Sequence, residues 1–270
     1  MALNKDTRLC ISISSHPSNF GTILHNHAYE ELGLNYLYKA FQITELEGVL
    51  VGIKSLNIRG CSVSMPFKQK IINFLDEVDE TATQIGAVNT VVNDEGKLTG
   101  FNTDYNGAMY AIKAAKANPS KSVFILGAGG MSRAFMLALT IQGFNKISIC
   151  SRSIERTKSL LTNFDVTVVD WADRSEVSAD LLINATPLGM KHFPEDAPFS
   201  KLNLLSCSRI IDVVNTPAST NLAREAEKQG ITFVPGYEIA VEQMISQFEY
   251  YTGLRPDKQS IVKKLLSISL

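Results

Sequence analysis

A lysine at the end of a run of small side chains is the first candidate for chemistry in this sequence. The segment GCSVSMPFKQK contains Lys68 two residues after a proline. The segments GAVNT and GFNTD contain Asn89 and Asp104, and each lies beside an apolar strand pattern. Ligands of open α/β sheets bind beyond the carboxyl ends of the strands. We therefore expect Lys68, Asn89 and Asp104 to converge on one polyhydroxylated ligand.

Taken singly, each of these three residues has an ordinary structural explanation. Asn89 is typical of a turn, and Asp104 is typical of a cap at the amino end of the helix that follows. Lys68 alone is indistinguishable from a solvated surface cation. For each residue alone, the ordinary explanation is the better one.

A glycine-rich turn is the second candidate. Residues Gly127, Ala128, Gly129, Gly130 and Met131 follow a strand pattern and open a helix pattern. This is the context that a dinucleotide-binding turn requires, because glycines let backbone N–H groups approach a pyrophosphate at a helix N-terminus. Ser132 replaces the third glycine of the fingerprint, and a tight turn without a ligand is the alternative. We expect nucleotide binding here.

The end of the next strand indicates which nucleotide. NAD-binding folds place an acidic residue there to hold the ribose 2′-hydroxyl. Here the strand ends in Ser151-Arg152-Ser153, and Arg156 follows. Guanidinium groups and hydroxyls suit a 2′-phosphate, so we expect NADP rather than NAD. The alternative is that both arginines are ordinary surface charges, with Arg156 paired to Glu155.

These residues need elements to position them, and the chain alternates short apolar runs with amphipathic stretches. From Ser120 onward this alternation predicts a parallel sheet of the doubly wound type. The predicted strands are Arg8–Ile13, Tyr36–Gln42, Gly60–Ser64, Ala87–Asn93, Lys97–Phe101, the run SVFIL before Gly127, Lys146–Cys150, Val166–Val169, Leu181–Asn184, Ile210–Val214 and Ile231–Val234. The predicted helices are Leu24–Leu32, Val49–Leu56, Gln69–Val78, Asn106–Ala117, Met131–Gln142, Ile154–Asn163, Asn221–Gln229 and Ile239–Tyr251.

Composition restricts the class of protein. The 270 residues suffice for two domains, with 45% hydrophobic residues, 20% charged residues and a net charge of −1. This balance gives no electrostatic case for nucleic acid or an anionic membrane as partner. The four cysteines form no CxxC pair and predict reduced thiols. We expect a soluble cytoplasmic protein that binds a small molecule, as a monomer or homodimer.

The order of several motifs resembles one known family. SVSMPFK, GAVNT, GFNTDxxG, GAGGxxRA, INATPLGM and PGYEIAVEQ follow one another as in the shikimate dehydrogenases, over nearly the whole chain. The resemblance implies two α/β domains, with a Rossmann-type doubly wound parallel sheet in the second and the active site in the cleft between them. We place the substrate domain at residues 1–104 with 240–270 and the NADP domain at 105–239. The implied reaction is reversible hydride transfer between NADP and a hydroxyl of a cyclic polyol carboxylate.

The same resemblance implies roles for individual residues. Lys68 matches the catalytic lysine and Asp104 its partner carboxylate. The implied substrate-binding residues are Ser64, Asn89 and Gln243. The implied cofactor-binding residues are Gly127, Ala128, Gly129, Gly130, Met131, Ser151, Arg152, Arg156, Thr186, Val213 and Gly236. No metal is implied, and His25 and His27 lie too far apart around a helix to form a metal site.

The departures from the family lie mainly on the substrate side. The family holds the substrate carboxylate with a Ser-x-Ser-Pro element before its first helix, whereas this chain has Asn19-Phe20-Gly21-Thr22. Thr22 or Ser18 is the candidate replacement, and we count Thr22 among the substrate-binding residues. Asn215 and Glu238 are further departures. We expect weak or altered activity on shikimate, with a non-catalytic NADP(H)-binding or sensor protein as the alternative.

Overall fold

The computed structural model describes residues 3–161, 164–190, 193 and 197–268, without the side chains of Arg156, Ser159 and Leu161. The chain divides into two compact units. The first unit contains the residues up to Thr103 and those from Val241 onward, and the second contains Asp104–Ala240. Both are built from alternating strands and helices, as the sequence pattern predicts. None of the described helices is long and apolar enough to cross a membrane.

The first unit contains six strands. They are β1 (Arg8–Ser14), β2 (Tyr36–Gln42), β3 (Gly60–Val63), β4 (Glu77–Val78), β5 (Thr90–Asp94) and β6 (Lys97–Phe101). Its helices are α1 (Phe20–Glu31), α2 (Glu47–Ser55), α3 (Glu80–Ile85), α9 (Gly236–Thr252) from Val241 onward, and α10 (Lys258–Ser267). α4 (Thr103–Ala114) begins at its boundary with the second unit.

The sheet of the first unit has the order β2-β1-β3-β5-β6-β4 and is mixed. β1 runs parallel to β2 and β3, whereas β5 runs antiparallel to β3 and β6. Ser62 and Phe101 both lie opposite Thr90. The carboxyl ends of β3 and β6 and the amino end of β5 therefore meet at one edge of the sheet, where three polar segments emerge.

Gly60 has no room for a side chain. A Cβ atom there would overlap the ring of Tyr251, which is 1% exposed. We expect Gly60→Ala to lower the free energy of unfolding by about 1–3 kcal/mol, because overpacking a filled core forces neighbouring groups to move. Urea denaturation measures this effect. Gly52→Ala in α2 is the matched control, since no atom from another described element lies within 4 Å of its Cβ position, and it should leave stability equal or higher. Equal stability of Gly60→Ala and the wild type would contradict the expected packing.

The second unit has a six-stranded sheet in the order β12-β11-β10-β7-β8-β9, with every pairing parallel. Its strands are β7 (Val123–Leu126), β8 (Ile147–Cys150), β9 (Thr167–Val168), β10 (Leu181–Asn184), β11 (Arg209–Asp212) and β12 (Thr232–Val234). Its further helices are α5 (Gly130–Ile141), α6 (Ile154–Leu161), α7 (Lys201–Ser206) and α8 (Asn221–Gln229). The strand order reverses between β10 and β7, which is the switch point where such sheets bind ligands.

The prediction of a helix over Gln69–Val78 is wrong. The segment forms a short 3₁₀ helix at Lys70–Phe74 and then strand β4 beside β6. Asp76 fixes this pairing, because its carboxylate accepts a hydrogen bond from Leu98 N at 2.7 Å and its own N–H donates to the Leu98 carbonyl at 3.0 Å. Sheet pairing with a distant strand outweighs the local helical pattern.

Candidate functional site

The polar edge of the first unit brings together Ser64, Lys68, Asn89 and Thr103. Ser64 and Lys68 follow β3, Asn89 precedes β5, and Thr103 follows β6 by two residues. Ser64 is exposed and Lys68 is half-buried. Hydrogen bonds join the segments of Lys68, Asn89 and Thr103, while the convergence of Lys68, Asn89 and Asp104 on one ligand stays a prediction.

Backbone hydrogen bonds fix the segment that carries Lys68. Val88 N donates to the Lys68 carbonyl at 2.8 Å, and Phe67 N donates to the Ser64 carbonyl at 3.0 Å. Val63 N donates to the Asn89 carbonyl at 2.8 Å. The segment from Ser64 to Lys68 is thereby tied to the residues that precede β5, so the lysine side chain starts from a defined backbone position.

Asn89 organises the start of α4. Its buried side-chain oxygen accepts hydrogen bonds from Thr103 N at 2.8 Å and from the Thr90 hydroxyl at 2.7 Å, and its amide nitrogen donates to the Thr103 hydroxyl at 3.1 Å. Asp104 follows in the first turn of α4 and is 5% exposed. A carboxylate in a first helical turn is favoured by the helix dipole. Asn89 therefore holds the backbone from which Asp104 projects.

Gln243 lies half-buried on α9, one turn before Gln247. The Gln247 side chain accepts from the Ser62 hydroxyl at 2.7 Å and donates to the Asn89 carbonyl at 3.4 Å. Residues four apart share a helix face, so Gln243 and Gln247 face the same part of the first unit. Sequence reasoning missed Gln247, although its i+4 spacing from Gln243 was a usable signal.

The segment Asn19–Thr22 is not a loop before the first helix. α1 begins at Phe20, so Gly21 and Thr22 lie in its first turn, and Asn19 makes no side-chain cap. A Cβ at Gly21 would lie 3.1 Å from the ring and hydroxyl of Tyr38, which is 1% exposed. A side chain at position 21 would therefore need the Tyr38 ring to shift by a few tenths of an ångström. Thr22 is partly exposed and remains able to contact a ligand.

His25 belongs to an aromatic cluster inside the first unit. Its ring stacks on Tyr38 with centroids 4.2 Å apart, and Phe248 and Tyr251 lie close by. Burial lowers the pKa of His25 to about 3, so the imidazole is uncharged at neutral pH. His27 instead contacts the Ser260 hydroxyl at 3.0 Å. The two histidines have separate packing roles.

A pocket of about 300 Å³ crosses the carboxyl ends of β10, β7, β8 and β9 in the second unit. We call it the glycine-turn pocket. It is lined by Gly127, Ala128, Gly129, Ser151, Arg152, Ser153, Trp171, Ala185, Thr186, Pro187 and Leu188. Its volume is at the lower end of the range of roughly 300–1,000 Å³ for small-molecule sites.

The glycine turn has the geometry of a phosphate cradle. Gly127 has φ +119, and a Cβ there would lie 2.6 Å from the Ala185 carbonyl oxygen, so only glycine fits. Among the described residues, no atom outside the turn and its own helix lies within 4 Å of the Cβ positions of Gly129 and Gly130, which leaves the amino end of α5 open. Met131 follows in the first turn of that helix. Ser132 is fully buried with a hydroxyl that has no hydrogen-bond partner among the described residues.

The end of β8 supplies one exposed cation to this pocket. Arg152 lines it and is exposed, whereas the Ser151 hydroxyl contacts Thr157 at 2.8 Å and donates to the Ser153 carbonyl at 2.9 Å. The Ser153 hydroxyl donates to the Glu155 carboxylate at 3.0 Å. Ser151 thus shapes the turn into α6. The side chain of Arg156 lies outside the described residues.

A buried polar network supports the other wall of the pocket. The Thr186 hydroxyl donates to Asn184 Oδ1 at 2.6 Å and accepts from Leu188 N at 3.1 Å. Asn184 Nδ2 donates to the Leu188 carbonyl at 3.0 Å and to Asp212 Oδ1 at 2.9 Å. Sequence reasoning named Thr186 but missed Asn184 and Asp212. The sequence does signal them, because each is a polar residue at the end of an apolar strand.

Burial of Asp212 makes stability depend on pH. Burial raises the pKa of this carboxyl to about 6, although Val214 N, Thr220 and Asn184 donate hydrogen bonds to it. Between about pH 4 and 6 the folded state then holds a proton that the unfolded state has released, so stability falls as pH rises through this window.

Relative to Asp212→Asn, we expect the wild type to lose about 2–3 kcal/mol of unfolding free energy as the pH rises from 4 to 7. Urea denaturation at several pH values measures it. Asp173→Asn, at an exposed position, serves as the control and should track the wild type. A pH-independent difference for Asp212→Asn would rule out this titration.

Val213 and Gly236 do not line the glycine-turn pocket. They meet at the carboxyl end of β11, where a Cβ at Gly236 would lie 2.5 Å from the Val213 carbonyl carbon. Glycine therefore lets α9 begin directly against β11. Glu238 follows in the first turn of α9, and its carboxylate accepts a hydrogen bond from the Tyr110 hydroxyl.

Two domain families match the chain. The one described as shikimate dehydrogenase substrate binding domain matches residues 18–91, and the one described as shikimate / quinate 5-dehydrogenase matches residues 110–189. A shikimate dehydrogenase-like protein from Haemophilus influenzae is 39% identical over 97% of this chain and 96% of its own. A shikimate dehydrogenase (NADP(+)) from Methanosphaera stadtmanae is 35% identical over 96% of each chain.

Solved structures agree with these matches. A shikimate 5-dehydrogenase-like protein superposes with a TM-score of 0.93 at 38% identity, covering 98% of each chain. A quinate dehydrogenase from Corynebacterium glutamicum in complex with NAD superposes with a TM-score of 0.90 at 29% identity, covering 97% of this chain and 99% of its own. The likeness extends over both units.

Proposed function

The chain belongs to the shikimate dehydrogenase family of oxidoreductases, and from this premise we propose that it transfers a hydride between NADP and a hydroxyl of shikimate or a related cyclic polyol carboxylate. The observation that supports this most strongly is the glycine-turn pocket, with its open helix terminus and Arg152 at the end of β8. Gly127 to Met131 would hold the pyrophosphate, since the space beside Gly129 and Gly130 is free for it.

NADP is the proposed cofactor because Arg152 stands where NAD-binding folds carry an acidic residue. Its planar guanidinium can form paired hydrogen bonds with a 2′-phosphate. Glu155 lies near the same turn through its bond to Ser153 and opposes a bound phosphate by charge repulsion. The relatives differ in cofactor, since one is named for NADP and another is seen in complex with NAD.

The proposed acid–base group is Lys68, with Asp104 as its partner carboxylate. When bound, the nicotinamide supplies the hydride in one direction and accepts it in the other. In reduction the Lys68 ammonium donates a proton to the substrate oxygen, and in oxidation the amine takes that proton back as the C–H hydride leaves. Ser64, Asn89, Gln243 and Thr22 are proposed to orient the substrate at the polar edge.

We propose that the protein acts on a substrate other than shikimate, or that it binds shikimate only weakly. Charge-assisted hydrogen bonds from two serine hydroxyls are absent at positions 19 and 21, and each such bond is worth about 1.5–3 kcal/mol. The tight packing of Tyr38 against Gly21 argues that this loss is built into the fold. Quinate and amino-substituted analogues carry the same carboxylate, so this change does not distinguish them from shikimate, and all three are candidates.

The test is a panel of shikimate, quinate and amino-substituted analogues, each with NADP and with NAD, followed by nicotinamide absorbance. Turnover of at least one compound, faster with NADP, supports the proposal. The competing function is that of a non-catalytic NADP(H) sensor, which the altered residues at positions 19–22 favour. Tight NADPH binding without turnover of any compound would support the sensor instead.

A further inference from the structure

The chain's single tryptophan lies at one end of the glycine-turn pocket. Trp171 follows β9, the strand beside β8 at the sheet edge, and is partly exposed. Neither the glycine motif nor the arginine pattern points to it. No step of the proposed hydride transfer uses an aromatic ring at this position, so its place in the pocket wall needs an explanation.

Arg174 holds the indole in place. The Arg174 guanidinium lies over the ring, 4.2 Å from its centroid, and Arg174 Nη1 donates to the Trp171 carbonyl at 2.6 Å. Trp171 belongs to the pocket wall and Arg174 does not. The cation therefore braces the ring without filling the pocket, and the pair gains cation–π energy.

The segment that carries Trp171 is anchored to α7. Asn203, which is 1% exposed, donates from Nδ2 to the carbonyls of Arg174 and Val177 at 3.0 and 2.8 Å. The Ser200 hydroxyl donates to the Ser175 carbonyl at 2.6 Å. A wall fixed by this many bonds loses little conformational freedom when a ligand binds, which favours affinity.

The order of the strands indicates what this wall contacts. A dinucleotide that places its pyrophosphate on the turn after β7 directs its adenosine ribose to the end of β8. β9 lies one strand beyond β8, at a spacing of about 4.8 Å. The base attached to that ribose then reaches the end of β9, where Trp171 lines the pocket.

On the basis of the proposed nucleotide function, we propose that the Trp171 indole is the surface on which the adenine ring stacks. Trp171 is thereby a determinant of cofactor affinity for NADP and NAD alike, since both carry adenine. Arg152, in contrast, distinguishes between them.

Adenosine 2′,5′-bisphosphate tests the proposal, because it carries the adenine and the 2′-phosphate but no nicotinamide. Trp171 is the only tryptophan, so its fluorescence reports the contact directly. We expect this compound and NADPH to quench the wild-type emission. We expect Trp171→Leu to weaken the binding of the bisphosphate, NADPH and NAD by the same factor, about 5- to 50-fold. Trp171→Phe keeps an aromatic face and should bind within about threefold of wild type.

Calorimetry supplies the affinities of the variants, and thermal melts check that they fold. Leucine keeps an apolar contact with the core, so the variant is expected to stay folded. If the wild type binds the bisphosphate and folded Trp171→Leu binds it equally well, the stacking role is overturned while the proposed function stands. If the wild type binds neither the bisphosphate nor NADPH, both proposals fail.

Discussion

Replacing Lys68 with alanine is expected to lower turnover by about 10²–10⁴-fold, which is the usual contribution of a positioned acid–base group. The affinity for NADPH should stay unchanged, because Lys68 belongs to the first unit and the glycine-turn pocket is formed by the second. Steady-state kinetics with the best substrate of the panel measures the first effect, and tryptophan fluorescence titration with NADPH measures the second.

Lys70→Ala is the matched control for this experiment. It removes an exposed lysine two residues further along the same segment, so it tests whether net charge alone matters. We expect its turnover to match the wild type. If Lys68→Ala turned over substrate within a few-fold of wild type, the assignment of Lys68 as the acid–base group would be wrong.

Replacing Arg152 with glutamine is expected to weaken NADP binding by about 10- to 150-fold, the equivalent of charge-assisted hydrogen bonds worth about 1.5–3 kcal/mol. NAD binding should change little, because NAD has no 2′-phosphate for the guanidinium to hold. Isothermal titration with both cofactors measures the ratio. The difference between the cofactors should shrink at high salt, because Arg152 is exposed and its charge is screened.

Lys158→Gln is the control for Arg152→Gln. It removes an exposed cation from α6, the helix that follows Arg152, and should affect both cofactors equally and weakly. An equal loss of NADP and NAD affinity in Arg152→Gln would show that the residue shapes the turn and does not recognise the 2′-phosphate.

Local sequence patterns were sufficient for most elements of the second unit, although they did not predict α7. The apolar run ending at Leu126, the glycines after it and the helix from Gly130 are consecutive in the chain, so their relation depends on short-range geometry. The same holds for β10 and α8, whose predicted bounds match the structure. Nearest-neighbour sterics and hydrophobic periodicity decide such elements, and both can be read from residue types.

Prediction failed where a distant partner decided the outcome. The segment Gln69–Val78 has a helical pattern, but pairing with β6 makes part of it a strand. The sequence shows Gly21 only as the loss of a serine, because the Tyr38 ring that packs against it comes from another element. The pocket position of Trp171 likewise depends on the order of β8 and β9 in the sheet.

The sequence by itself therefore determined the family resemblance, the glycine turn and the residues proposed for chemistry, because these reside in residue types at short spacing. The tertiary structure alone decided which of them share an edge or a pocket, why position 21 holds glycine, and that Trp171 and Asp212 belong to the site region. The physical reason is that close packing and the burial of polar groups depend on contacts between residues far apart in the chain.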